Sequence, residues 1–237
     1  MTKSPSENGG CGHDWPMSRA ISRWEIRITA MLIAGAMALP LTPAEAAEQK
    51  ASAVLETLVV KGRAPKTGYD RDGLFGTWAD PDRNGCDARN DVLARDLSNE
   101  VVDSDRCKVL SGKFIDPYSG VAINFVQGRG TSQLVPIDHI VAVSDAWQKG
   151  AFKWDSTKRV NFYNDPLNLQ ATQMKLNSQK GDGDAATWLP PLKSYRCIYV
   201  ARQIAVKAKY SIWVTTAEKA AMKSILAKCP GQLIPRN

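Results

Sequence analysis

The chain of 237 residues has only two histidines and five cysteines. No Cys-x-x-Cys pair occurs, which excludes the familiar structural zinc patterns. No Gly-x-Ser-x-Gly elbow occurs, which argues against a serine hydrolase. The apolar run Ile28–Leu41 covers 14 residues without a charge, too short for a comfortable membrane span. There is no internal repeat and no twin arginine. With 43% hydrophobic and 23% charged residues, the composition is that of a globular protein, not of a disordered or fibrous one.

What is present begins with a leader. Arg19, Arg23 and Arg27 precede the apolar run, and Ala44-Glu45-Ala46 follows it with small residues at a cleavage site. This is the layout of a general-secretory signal peptide over residues 1–46, so a secreted protein, extracellular or periplasmic, is expected, with no membrane attachment after cleavage. Cys11 leaves with the leader. Cys86, Cys107, Cys197 and Cys229 remain, an even number in an exported chain, and read as two disulfides. Of three connectivities, Cys86–Cys107 with Cys197–Cys229 closes the most local loops.

The net charge of +7 is unevenly spread. Residues 191–237 carry nine basic side chains against Glu218 alone, whereas the body before them is near neutral. A basic segment on a neutral body suggests a polyanion partner, although a solvated basic face would look the same.

Residues 47–69 read as a lead-in, with a strand-like Leu55–Val60 and a linker-like Lys61–Gly68. Residues 70–237 read as one domain. A helix fits Arg89–Leu97, with Asp87 as N-cap. Val109–Phe114 and Val121–Val126 flank Asp116-Pro-Tyr-Ser-Gly120 as a hairpin. Leu134–Val141 is extended, and short helices fit 146–151 and 156–163. Leu167–Ala171 is extended again, and Thr172–Lys180 is helical with Gly181 behind it. A helical hairpin closes the chain over 191–237. Its first helix carries a stripe of Cys197, Ile198, Ala201, Ile204, Ala205 and Ala208, flanked by Arg196, Arg202, Lys207 and Lys209.

His139 is the sole histidine beyond the leader and follows Asp138 directly. A neutral imidazole is the natural general base near pH 7, and a carboxylate beside it can hold a hard cation. A structural, hydrogen-bonded histidine would give the same dipeptide. Downstream stand Asn168 and then Asn177-Ser-Gln-Lys180-Gly-Asp182, where Asn177 and Lys180 share a helix face.

Asp138-His139-Ile-Val, Asn168-Leu and Asn177-Ser-Gln-Lys-Gly-Asp182 together resemble the HNH nuclease motif, also called the His-Me finger or ββα-metal motif. The wider pattern is similar to exported bacterial HNH endonuclease-family proteins related to the C-terminal domain of GmrSD-type restriction enzymes. Asn84–Leu97, Ser111–Tyr118 and Ala186–Pro191 support it. Ala142 stands where proline is expected, and the last motif letter is Asn. The resemblance implies an α+β fold with a ββα-metal core, an added hairpin and a disulfide-stapled C-terminal helical hairpin. It implies His139 as general base, Asn168 as the residue that orients the loop carrying it, and Asp138 and Asn177 as ligands of one divalent ion. Oxygen ligands suit Mg²⁺ best and then Mn²⁺, with Zn²⁺ less suited. Adjacent residues on a regular strand face opposite ways, so Asp138 and His139 can share a site only at a strand end or a twist.

The expected function is that of a monomeric secreted endonuclease acting on DNA, with RNA left open. Lys180 and Arg89 are candidate phosphate contacts beside the metal, and Arg196, Arg202, Lys207 and Lys209 candidate DNA contacts on the hairpin. A non-catalytic extracellular nucleic-acid-binding protein is the alternative. Asp80-Pro-Asp82-Arg-Asn84-Gly, with Asp91 at the twelfth position, also matches the start of a calcium loop, against a turn pinned by Cys86. The five tryptophans beyond the leader read as core anchors.

Overall fold

The computed structural model describes residues 48–235. The segment read as a signal peptide, 1–46, lies outside the described residues. The fold is α+β, with two small antiparallel sheets and eight helices among the described residues. In chain order these are α1 (Ala51–Thr57), α2 (Arg71–Phe75), α3 (Ala88–Asp96), β1 (Leu97–Val102), β2 (Val109–Ile115), β3 (Ala122–Val126), β4 (Ile137–His139), α4 (Val143–Gln148), α5 (Ser156–Tyr163), β5 (Leu169–Ala171), α6 (Met174–Lys180), α7 (Arg196–Tyr210) and α8 (Thr216–Leu226).

α3 starts where the sequence marks it, with the Asp87 carboxylate accepting from Asn90 N at 2.8 Å. β2 and β3 form the expected hairpin, with Phe114 opposite Ile123, and β1 adds a third strand that the sequence reading did not foresee. α3 and this meander pack Val92, Leu93, Val109, Phe114 and Phe125 onto β4 and β5. β4 pairs with β5, His139 opposite Leu169, and α6 follows directly. α6 ends at Gly181, whose φ of +50° is open to glycine at little cost.

The lead-in is part of the body. Leu55–Val60 is not a strand: α1 spans Ala51–Thr57 and buries Ala51, Val54 and Leu55 in the core shared with α7 and α8. Val60 forms an isolated bridge with Val214, whose N–H donates to Val59 O at 3.0 Å. The linker-like stretch is also engaged, because Ala64 N donates to Gln148 O at 2.8 Å.

α7 departs from the expected one-sided stripe. Ile198 is 45% exposed, whereas Tyr199, Val200, Gln203, Val206, Lys207 and Tyr210 are buried with Ala201, Ile204 and Ala205. α7 is a central helix covered nearly all round. A capping box of Thr215 and Glu218 opens α8.

Cys86–Cys107 and Cys197–Cys229 are the two disulfides, with Cα separations of 5.0 and 6.4 Å. The second ties the start of α7 to the end of α8 across 32 residues. Closing a loop of that length is worth about 3–4 kcal/mol in the chain-entropy account. The Cys197→Ser/Cys229→Ser double variant is therefore expected to lose that much stability in urea denaturation; a loss under 1 kcal/mol would refute the staple.

The centre also holds six charges. Lys149 Nζ lies 2.7 Å from Asp145, 2.8 Å from Asp184 and 2.6 Å from Glu218. Lys207 Nζ lies 2.9 Å from Glu218 and 3.2 Å from Asp145. Arg63 closes the network on Asp145 and Asp184 at 2.8 and 2.7 Å. Three cations meet three carboxylates, joining the lead-in, α4, the loop after α6, α7 and α8. Burial would lower the Lys207 pKa, yet Glu218 and Asp145 raise it to about 12. Burial would likewise raise Asp145, yet Lys207 and Lys149 hold it below the ordinary carboxylate range.

Candidate active site

β4 is three residues long and ends at His139. That strand end lets consecutive side chains serve one place. Asp138 and His139 line a single cleft of about 190 Å³ together with Asn177 of α6, Ser144 of α4, Asp182, Tyr69 and Arg71.

His139 is 4% exposed. Trp78 stacks parallel to its ring at 5.9 Å, and the Tyr163 ring is tilted against it at 4.4 Å. Its Nε2 lies 2.8 Å from the Tyr163 carbonyl oxygen. A carbonyl only accepts, so Nε2 carries the proton and Nδ1 keeps the lone pair. Burial, then the charge of Arg71, lower the imidazole pKa to about 3 despite the Tyr163 carbonyl, and Lys180 adds to the shift. The ring is a neutral base across the physiological range.

This shift has a stability consequence. The folded pKa is depressed below the ordinary histidine value of 6.5, so between pH 6.5 and 3 the unfolded chain binds a proton that the folded chain does not. Stability must fall as pH drops through that window, by about 2 kcal/mol from pH 6.5 to 5 for this residue. Urea denaturation at both pH values should show the loss in wild type and a smaller one in His139→Leu. Equal losses in the two proteins would contradict it.

Asp138 is held on both oxygens. Tyr118 Oη donates to Oδ2 at 2.6 Å, and Lys180 Nζ donates to Oδ1 at 2.9 Å and to the His139 carbonyl at 2.7 Å. Asn168 is fully buried just before β5. Its Oδ1 accepts from Val141 N at 2.8 Å and its Nδ2 donates to Val141 O at 3.4 Å, so one amide clamps the backbone that leaves His139. The Asn177 side chain faces the cleft and makes no hydrogen bond to another described residue.

The expected phosphate and DNA contacts are distributed differently. Lys180 shares a helix face with Asn177 but turns inward, and its side chain is fully buried against Asp138. It is an internal ion-pair partner, not an open phosphate contact. Arg89 spends its guanidinium on the Ser132 and Val135 carbonyls, holding the approach to β4. Lys207 lies inside the central charge network with no side-chain exposure, which corrects its place on a basic face. Arg202 grips the carbonyls of Leu167 and Leu169 and the Gln170 amide oxygen. Arg196 donates to Pro190 O at 2.7 Å, and Lys209 pairs with Asp165 at 2.7 Å while staying 40% exposed. Of these four, Lys207 and Lys209 meet carboxylates, whereas Arg196 and Arg202 are held by neutral oxygens and keep their charge.

Asp80, Asp82, Asn84 and Asp91 do meet in one turn, but their oxygens are taken by N–H donors. Asp80 accepts from Asn84 N and Gly85 N at 3.1 and 2.9 Å, Asp82 from Asn84 N at 3.2 Å, and Asp91 from Asn84 Nδ2 at 3.1 Å. These bonds and Cys86 hold the turn. Among the described residues, no group of three or more His, Cys, Asp or Glu side chains is arranged to hold a metal ion.

Arg71, Tyr118 and Tyr163 surround the site without a motif that marks them, and Trp78, expected as a core anchor, stacks on His139. Tyr118 lies in the Asp116–Gly120 turn, where the sequence marks only the hairpin. Arg71 lies 68 residues before His139, with no motif around it.

The family described as "GmrSD restriction endonucleases, C-terminal domain" matches residues 87–225, which contain β4, β5, α6 and the cleft residues Asp138, His139 and Asn177. A protein of the fungus Arthroderma benhamiae named "Uncharacterized secreted protein" is 37% identical over 193 residues, 81% of this chain and 90% of that protein. That relative is fungal, so the likeness extends beyond the exported bacterial proteins. No solved structure matches. By the extent of the family match and of the fungal relative, this chain belongs to the family of GmrSD restriction endonuclease C-terminal domains.

Proposed function

We propose that the protein is a secreted, metal-dependent HNH endonuclease that hydrolyses phosphodiester bonds of DNA. The observation that carries this reading is the Nε2–Tyr163 hydrogen bond, which leaves the lone pair on Nδ1 of a ring that lines the same cleft as Asp138 and Asn177. The run β4–β5–α6 around these residues supports a ββα-metal core. In the reaction, Nδ1 takes a proton from a water as that oxygen bonds to phosphorus, and the bond to the leaving 3′ oxygen breaks. The leaving oxygen takes its proton from solvent. Asn168 keeps the backbone after His139 in place, and Trp78 and Tyr163 keep bulk water from the ring.

Asp138 and Asn177 fit a divalent ion as a minimal oxygen pair. A carboxylate offers about four lone-pair positions, and Tyr118 and Lys180 use two. Mg²⁺ commonly takes one or two protein oxygens and completes its shell with water and phosphate. When bound, such an ion would supply neutralisation of the negative charge on the phosphate as the bond breaks.

Export is supported by the leader layout, the two disulfides and the secreted fungal relative. No helix among the described residues is long and apolar enough to cross a membrane. The test is plasmid incubated with protein in Mg²⁺ or in EDTA: nicking in Mg²⁺ alone is expected. Retardation without cutting would favour a non-catalytic DNA-binding protein, the reading that the double engagement of Asp138 supports.

A further inference from the structure

We infer that Arg71 is the residue that binds the scissile phosphate, supplied by a segment that precedes the family-matched region; the inference rests on the reading of the cleft as a phosphodiester site. Arg71 is exposed and lines the cleft with Asp138, His139 and Asn177. Among the described residues, no other lysine or arginine lines it. Lys180, the cation nearest in sequence to the motif, is buried on Asp138, and Lys66 is paired with Asp182 at 2.9 Å.

The Arg71 guanidinium is positioned but unspent. It lies 5.4 Å from the Tyr163 ring centroid, and Nη2 donates to Tyr163 Oη at 3.3 Å. It makes no ion pair with another described residue, so four of its five N–H donors stay available. That geometry suits two parallel bonds to a phosphodiester oxygen pair. Tyr163 therefore registers both partners of the reaction: its carbonyl fixes the His139 tautomer, and its ring and hydroxyl fix the guanidinium. The distance between base and phosphate is then set by one side chain and its own backbone. The Arg71 charge is also felt by His139, whose neutral form it favours.

Two measurements test this on wild type, Arg71→Gln and Arg71→Lys. Arg71 is exposed, so both variants should fold; circular dichroism and melting confirm it. Single-turnover cleavage of a 30-base-pair duplex in Mg²⁺ should fall about 10²-fold or more in Arg71→Gln, as when one preorganised transition-state donor is removed. Arg71→Lys should recover part of that loss, since it keeps the charge without the fork. Inorganic phosphate titrated in EDTA, followed by ³¹P line width, should show binding to wild type that Arg71→Gln abolishes. If wild type cuts DNA and Arg71→Gln cuts and binds phosphate equally well, the Arg71 inference is overturned while the nuclease reading stands. If wild type cuts nothing but phosphate binding needs Arg71, the nuclease reading fails and the anion site stands. Phosphate binding absent from wild type, with cleavage either unchanged in Arg71→Gln or absent from wild type as well, also overturns it.

Discussion

Replacing His139 with alanine is expected to lower phosphodiester cleavage by about 10²–10⁴-fold, the range a positioned general base contributes. No other histidine among the described residues can take over, since His139 is the only one beyond residue 47. The loss should fall on the chemical step. DNA affinity in EDTA should change little, because a neutral ring that is 4% exposed offers no phosphate a charge. The ring packs against Trp78, Phe162 and Tyr163, so some stability will go with it. His139→Gln, which refills part of the volume, separates the two effects: it should melt closer to wild type yet stay as inactive as alanine. Cleavage within threefold of wild type in either folded variant would remove His139 from the mechanism.

Replacing Lys149 with methionine should be the most damaging single change to the fold. Its ammonium touches Asp145, Asp184 and Glu218 and has no exposed surface. Without it, three buried carboxylates face only Arg63 and Lys207. Breaking a buried ion pair from one side costs about 3–5 kcal/mol, since the partner charge stays behind unpaired. Domains of this kind have about 5–15 kcal/mol in total. Lys149→Met should therefore express poorly, or melt far below wild type, in urea titrations at pH 7. A variant within 1 kcal/mol of wild type would mean that water enters the network and compensates. The network also adjoins the site, because Ser144 of the cleft precedes Asp145 and Asp182 of the cleft lies two residues before Asp184. Loss of Lys149 is thus expected to loosen the cleft rim before the outer meander.

The division between secretion and catalysis is testable on one sample. Intact mass with and without reductant reports the four oxidised cysteines and whether residues 1–46 remain. The same protein then enters the plasmid assay in Mg²⁺ and EDTA. A secreted, oxidised protein that binds DNA without cutting would keep the export reading and move the cleft to the binding alternative.

Local pattern sufficed for much of this molecule. Asp87 capped the helix it was expected to cap, the hairpin turned at Asp116–Gly120, and both cysteine pairs closed the nearest available loops. These features depend on residues close together in the chain. Asp138, His139 and Asn177 stand out through the motif they resemble, and β4 and α6 bring them to one cleft. What sequence pattern could not decide was pairing across long separations. A count of nine basic residues near the C-terminus says nothing of Asp145, 62 residues before Lys207, which draws that lysine inward. The stripe on α7 failed likewise, because apolar spacing marks one covered side and cannot reveal a helix covered all round, its buried charges neutralised by distant carboxylates. Arg71 reaches the cleft, and Trp78 the His139 ring, only through the packing of α2 and the turn after it against α5 and β4. Local motifs mark the candidate residues, whereas the folded core decides which charges are paired inside and which stay exposed.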